Sequence, residues 1–583
     1  MMSQFLRASA SSVFVALCLF PSACTRAPNH LDTAAALAPA PATPTLTPPA
    51  APPPQTSPQP TSPPKSEPGA PTTPSTPPVP PPAPLDELKK DLEREKAAQQ
   101  MPETEPELLA RIQAEFKRIP EDLRSNTRMP AETLNRIVDQ LFEYCEAYNE
   151  KFPETPASAE VLYIYAKLTV MNEARYKAER GKLYQAPGSD SPGNPPLEWT
   201  QKVAHEYLAR AERAALKALS LNPPPALKLK IEKVRGHAMF VENRFGPMIE
   251  HYRRLLKEFP DVDEAPEMLM SLIGAYEKNR SAIDGIAMCD LFLQKYPSSR
   301  FVPHAIDGKR KMLLWAGRPE EALAHMAKYD EFNRFGAKGE KIPGYDFQFT
   351  DSITRQDFAT NLEQHDFFVG FANYVLGRAE LAAAAFQKSI DFLDAKMKDN
   401  TIGQVGRVTL VQRTPRMRDA MAKLHGKPAP PIDLVKGRWL NDAVFDLKAE
   451  LGNVVVLFFC PYKFGRSDDF SQALQEMLVE NWSRGLRVAW LAVPQGNQTP
   501  EKQIALIQAE ADRLGLTFPI ALPLGEGTTF PLPMFEAYNV PIGTPTVVVI
   551  DRQGKVAWYH IDPTFRDFEV TRIVFDRLLT DKP

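Results

Sequence analysis

The sequence predicts a multidomain protein, an α-solenoid of helix-turn-helix repeats followed by an α/β domain. Three observations carry this expectation. Proline recurs between amphipathic helical stretches at Phe152-Pro153, Asn222-Pro223, Phe259-Pro260 and Tyr296-Pro297, with the prolines 70, 37 and 37 residues apart. From about residue 426 short continuous apolar runs replace the helical pattern. The 58 prolines of the 583-residue chain are concentrated in 39–84, which separates an N-terminal leader from everything after it. A chain this long exceeds a single core, so several folded units are required. The expected divisions are a leader at 1–23, a tether at 24–84, a charged helical segment at 85–130, repeats at 131–400, a linker at 401–425 and the α/β domain at 426–583.

The leader carries Arg7, the apolar run SVFVALCLF at 12–20, and small residues Ser22 and Ala23 before Cys24. That is secretory grammar, and the run is too short to span a bilayer. Ser-Ala-Cys closing an apolar run resembles the lipobox of bacterial lipoproteins, although Pro21 stands where leucine is usual. The resemblance implies lipidation of Cys24 and attachment to a membrane through that lipid; an ordinary secretory leader cleaved nearby is the other reading. Thr25 in place of aspartate implies, by the same resemblance, sorting to the outer membrane, with the protein facing the periplasm. The tether, rich in Pro, Ala, Thr and Ser, cannot bury a core and should extend as polyproline II at roughly 3.1 Å per residue, a reach on the order of 100 Å. Its PxxP runs could also enter an aromatic groove.

Net charge is −3, which supplies no basic field for nucleic acid. Cys18 and Cys24 lie in the leader, and Cys145, Cys289 and Cys460 are too widely spaced for a disulfide framework or zinc knuckle. His237, His251 and His304 form no paired motif on one helical face, so no metal is expected, and nothing calls for a cofactor.

Proline suits the repeat boundaries because it cannot continue one helix yet fits the first turn of the next. Small and large residues alternate as packed helix pairs demand: Gly236, Tyr252 and Pro260 in one unit, Gly317, Ala322 and Met326 in another, Gly377, Ala382 and Phe386 in a third. These segments resemble tetratricopeptide repeats, notably the variant of periplasmic assembly lipoproteins, with FLQKYPSSRFVPHA at 292–305 as the ending; a generic α-solenoid is the alternative. Either implies a concave surface that binds other envelope proteins or peptides. Insertions are expected as loops at 181–199 and about 332–358.

In the C-terminal part, NVVVLFF at 453–459, LRVAWLAV at 486–493 and TPTVVVID at 544–551 read as buried strands, with helical stretches around 470–481 and 500–514 between them. GKPAPPIDL at 426–434, the lead into 460–470 and GTPTVVVIDRQGKVAW at 543–558 together resemble thioredoxin-like proteins of the redoxin and thiol-specific-antioxidant (AhpC/TSA) group. The resemblance implies that Thr544 and Pro545 occupy the family's threonine and cis-proline facing the redox cysteines, there to receive an extended peptide or only to shape the fold. It also implies a reactive cysteine in the loop after Phe459, where a helix N-terminus would lower its pKa. Here the loop reads CPYKFGRSDDF. Aligned as a thioredoxin, Phe464 and Ser467 occupy the cysteine positions; aligned as a peroxiredoxin, Phe464 replaces a threonine and Asp468 the cysteine. Both alignments remove the nucleophile. Cys460 is the remaining nearby thiol, either a small buried hydrophobe or a group activated by Lys463 and Arg466.

The leading expectation is a tethered protein-binding scaffold with a redox-degenerate domain. The alternatives are a one-cysteine thiol oxidoreductase or peroxidase acting through Cys460, and an outer-membrane assembly factor.

Overall fold

The computed structural model describes residues 101–119, 131–171, 197–409, 413–434, 437–440, 444–461, 468–493, 499–523, 533–541, 544–561 and 568–580. The leader with Cys24, the tether, most of the expected 181–199 loop, Phe464 and Ser467 lie outside the described residues.

Helices α1 (Glu105–Arg118), α2 (Ala131–Lys151) and α3 (Ser158–Met171) meet in a core containing Leu108, Ile112, Leu141, Tyr148 and Ile164. α1 lies in the segment expected to be a charged helical stretch, and Leu108 and Ile112, four apart on one face, bury it. α4 (Leu197–Ser220) follows, and then helices in pairs: α5 (Pro225–Val241) with α6 (Phe245–Glu258), α7 (Ala265–Lys278) with α8 (Ala282–Lys295), α9 (Val302–Trp315) with α10 (Pro319–Lys338), and α11 (Ser352–Val375) with α12 (Ala379–Lys398).

The turn inside each pair has one geometry. A left-handed residue, Asn243, Arg280, Gly317 or Gly377, has φ of 60°, 62°, 73° or 76°. The next N–H reaches back five residues, from Arg244 to Met239, Ser281 to Tyr276, Arg318 to Leu313 and Arg378 to Asn373, at 2.8 to 3.1 Å. These bonds satisfy carbonyls that the helix end would leave bare. The first three turns recur every 37 residues, the period of the prolines; the fourth comes 60 residues on because an insertion precedes it. Within pairs, a ring on the second helix fills the space left by a glycine on the first. A Cβ on Gly236 would lie 2.6 Å from the Tyr252 ring, and one on Gly370 2.7 Å from Phe386. His251 and His325 add a polar pin between paired helices: each Nε2 meets a carbonyl on the preceding helix, Glu232 O at 2.8 Å and Ile306 O at 2.9 Å.

Two expected irregular segments are ordered. The insertion shrinks to residues 339–351, because α10 runs to Lys338 and α11 starts at Ser352. Phe349 and Ile342 are buried there, and Phe332, Tyr345, Phe347, Phe349 and Phe358 pack ring on ring. The 401–425 linker carries α13 (Gln404–Val408) and α14 (Thr414–Leu424). Glu363, a buried carboxylate on α11, accepts the N–H groups of Gly403 and Gly406 at 2.9 and 3.1 Å and pairs with Lys396, so it holds the start of α13. Met417, Ala420, Met421 and Leu424 bury α14 at helical spacing.

The C-terminal domain contains β1 (Arg438–Leu440), β2 (Val454–Cys460), α15 (Asp468–Asn481), β3 (Leu486–Ala492), α16 (Pro500–Leu514), β4 (Ile520–Leu522), α17 (Pro533–Ala537), β5 (Thr546–Ile550), β6 (Val556–Ile561) and α18 (Phe568–Thr580). Strand order is β1-β4-β3-β2-β5-β6. β2, β3 and β4 run parallel through the crossover helices α15 and α16, whereas β5 is antiparallel to β2, and β6 to β5. A central parallel pair flanked by an antiparallel hairpin, with a last helix behind it, is the thioredoxin-like arrangement.

One continuous apolar core runs from Leu229 on α5 to Leu579 on α18. Where repeats and sheet meet, Phe371 and Tyr374 of α11 face His560 and Trp558 of β6, with ring centroids 5.1 and 6.5 Å apart. Arg577 on α18 donates to Val375 O at 2.8 Å, and Ile573 packs against the Gly317 turn.

Two predictions follow from this packing. Gly370→Val should cost about 1–3 kcal/mol, the range for overpacked cores, because both the Phe386 ring and Ala382 O crowd the new side chain. Gly246→Ala, whose Cβ meets nothing within 4 Å, should be neutral or stabilising; urea titrations compare the two. Burial pulls the His325 imidazole down to about 4, against its bond to Ile306 O and beside the Lys309 and Arg310 charges. The unfolded chain therefore takes up a proton near pH 6.5 that the folded chain refuses. Stability contributed by neutral His325 is complete above that pH and is lost as pH falls toward 4, by up to about 1.4 kcal/mol per pH unit. Urea midpoints should fall more steeply over this window in the wild type than in His325→Gln.

Candidate functional site

The expected site lies at the C-terminal end of β2. All seven residues of that strand are buried, since β3 covers one edge, β5 the other, and helices pack on the sheet. Cys460 is the last of them, in register with Ala492 of β3. It has 0 % exposure, and its Sγ–H donates to Pro461 O at 3.3 Å. Its carbonyl accepts from Trp490 Nε1 and from the N–H of Val493, both at 3.0 Å, which fixes the strand end in place.

β5 brings the second half of the site alongside. Phe459 is paired with Thr546, so the next residues outward on the two strands are Cys460 and Pro545. Pro545 is buried and Thr544 half-buried; the Thr546 hydroxyl donates to Thr544 O at 3.4 Å. Asp468 is the first residue of α15. Behind the strand, Phe459 packs on Phe535 and Tyr538, at 5.7 and 5.3 Å between centroids, and the Tyr538 hydroxyl donates to Pro430 O. Burial pushes the Tyr538 phenol well above its usual range, so it serves as a donor and not as a base.

The sheet thus places Cys460 beside Pro545 and Thr544. It does not add a second thiol. Cys145 and Cys289 are buried in the helical part, their thiols pushed up by burial, and none of the three described cysteines is in a disulfide. Thiol-disulfide exchange needs a thiolate that can reach its target. Cys460 is fully covered and donates its hydrogen to a backbone carbonyl. Among the described residues no cluster of His, Cys, Asp and Glu could hold a metal, and no helix is long and apolar enough to cross a membrane.

Sequence reading passed over the aromatic contact between Phe371, Tyr374, Trp558 and His560, which occupies part of the last repeat with the chain's own sheet domain. The available signal was VAWYHI at 556–561, whose residues are apolar or aromatic on both faces of the strand and call for a cover on each.

No family model and no curated protein matches the chain. Among solved structures, its C-terminal region is similar to a chain assigned as a thiol:disulfide interchange protein, DsbE, from Chlorobium tepidum, at 22 % identity over 27 % of this chain and 97 % of that one, with a TM-score of 0.22. A thiol-disulfide isomerase from Corynebacterium glutamicum is 21 % identical over 26 % and 98 % of the two chains, with the same score. A chain assigned as a protein disulfide isomerase from Bacteroides thetaiotaomicron is 18 % identical over 27 % and 91 %, again at 0.22.

Proposed function

We propose that this chain is a non-catalytic binding protein of the cell envelope. In this reading it is anchored through lipid on Cys24 to the outer membrane, faces the periplasm across the proline-rich tether, and binds other envelope proteins or peptides through its tetratricopeptide-like repeats. The thioredoxin-like domain has kept its scaffold and given up its redox chemistry. The observation that carries the reading is Cys460, the one thiol near the expected site, at 0 % exposure. Phe464, Ser467 and Asp468 stand where the family's cysteine and threonine positions would fall, so no partner thiol is encoded there. In this reading the backbone of Thr544 and Pro545, beside the end of β2, is a second docking surface for an extended peptide.

Insulin reduction and peroxide reduction by the purified chain test this. The expected result is no turnover above the uncatalysed rate, with Cys460→Ser equally inactive and equally folded. Robust turnover that disappears in Cys460→Ser would establish the thiol oxidoreductase instead.

A further inference from the structure

Where the helical repeats meet the sheet domain, the chain passes from α14 through His425 and Gly426 into the sheet. Gly426 has φ of 71°, its N–H donates to Val556 O at 2.8 Å, and Val556 N–H returns to Lys427 O at 2.9 Å. The His425 ring packs edge-on against Tyr374 of α11, 5.4 Å between centroids. It also borders a cavity of about 320 Å³ lined by Gly377, Asp551, Val556, Ala557 and Arg577. This one imidazole therefore touches the last repeat and the sheet edge, and it shares a cavity with Arg577 of the last helix.

The surroundings suit a neutral ring and oppose a charged one. The ring hydrogen-bonds the backbone of Ala557, while Nδ1 is buried with no hydrogen-bond partner. A neutral imidazole can leave one nitrogen as an idle acceptor; a protonated one carries two N–H donors and would strand the second. The charged groups facing it are Arg577 on α18 and Asp551 after β5, with Tyr374 on α11 and the neighbouring Lys423 and Lys427 on its own segment. Arg577 repels a second cation. Asp551 attracts one, but its carboxylate already accepts the N–H groups of Gln553 and Lys555, both at 2.9 Å. Burial and Arg577 accordingly hold the imidazole below its ordinary range.

We propose that His425 makes the junction acid-sensitive: the sheet domain stays docked on α11 and α14 while the ring is neutral, and loosens when the ring takes a proton. The sign follows from linkage. The docked state refuses a proton that the loosened, solvated state accepts near pH 6.5, so docking is complete above that pH and weakens as pH falls below it. Loosening would expose Phe371 and Tyr374, the repeat surface that β6 now covers, so acid would enlarge the area offered to a partner.

Amide hydrogen exchange on the full chain at pH 7.5 and 5.5, corrected for intrinsic rates, reads this directly in peptides covering 374–378, 424–428 and 555–558. Protection there should fall at the lower pH, by at most about tenfold, because pH 5.5 lies one unit below the ordinary imidazole value. It should hold constant in His425→Gln, and His325→Gln should behave like the wild type in these peptides. Unchanged protection in the wild type, or the same loss in His425→Gln, would overturn the proposal. If His425→Gln does not fold, exchange at the imidazole C2 position in the wild type reports the titration of His425 itself. A midpoint displaced below 6.5 supports the proposal, and an ordinary midpoint near 6.5 overturns it.

Discussion

The contact between β6 and α11 organises everything C-terminal to the third helix pair. β6 is the last strand of the sheet, and its six residues are buried or nearly so. An edge strand with apolar side chains on both faces cannot stand in water and invites pairing with another chain. Here Phe371 and Tyr374 cover Trp558 and His560, and α18 seals the repeat turns at Gly317 and Gly377. The helical repeats gain a cap in the same contact. A solenoid's last repeat exposes an apolar face with no following repeat to bury it, and the sheet domain supplies that cover. Repeats and sheet therefore share one core and should respond to perturbation together.

This docking leaves the end of β2 with a single chemical identity. The strand is sealed along its whole length, its terminal carbonyl is held by Trp490 and Val493, and its thiol is turned onto the backbone. Thioredoxin-like chemistry depends on an exposed thiolate at a helix N-terminus, stabilised by the helix dipole. Thr544, Pro545 and the aromatic packing behind Phe459 shape the strand ends.

Local chemistry made much of this legible in the sequence. Prolines marked the repeat boundaries and three apolar runs marked β2, β3 and β5, whereas Gly317 and Gly377, expected as small residues between packed helices, take left-handed turn positions instead. Asn243 and Arg280 adopt the same left-handed turn with no glycine to announce it, because the surrounding helix pair dictates the backbone and the side chain only tolerates it. α14 was hidden by flanking residues that read as linker, although Met417, Ala420, Met421 and Leu424 carry a helical spacing. The 339–351 segment was hidden because ring-on-ring packing with Phe332 and Phe358 gives no periodic pattern. The burial of Cys460 and the junction at His425 are long-range outcomes, set by what the fold brings against them.

Whether Cys460 is reachable is measured by its alkylation with iodoacetamide in the native full chain. Variants lacking Cys145 or Cys289 assign the modified site by mass. A buried Cys460 should be modified only at the rate of unfolding or local opening, orders of magnitude below that of a free thiol at the same pH. Rapid modification under native conditions, persisting to pH values well below the ordinary thiol range, would contradict it and point to an activated cysteine.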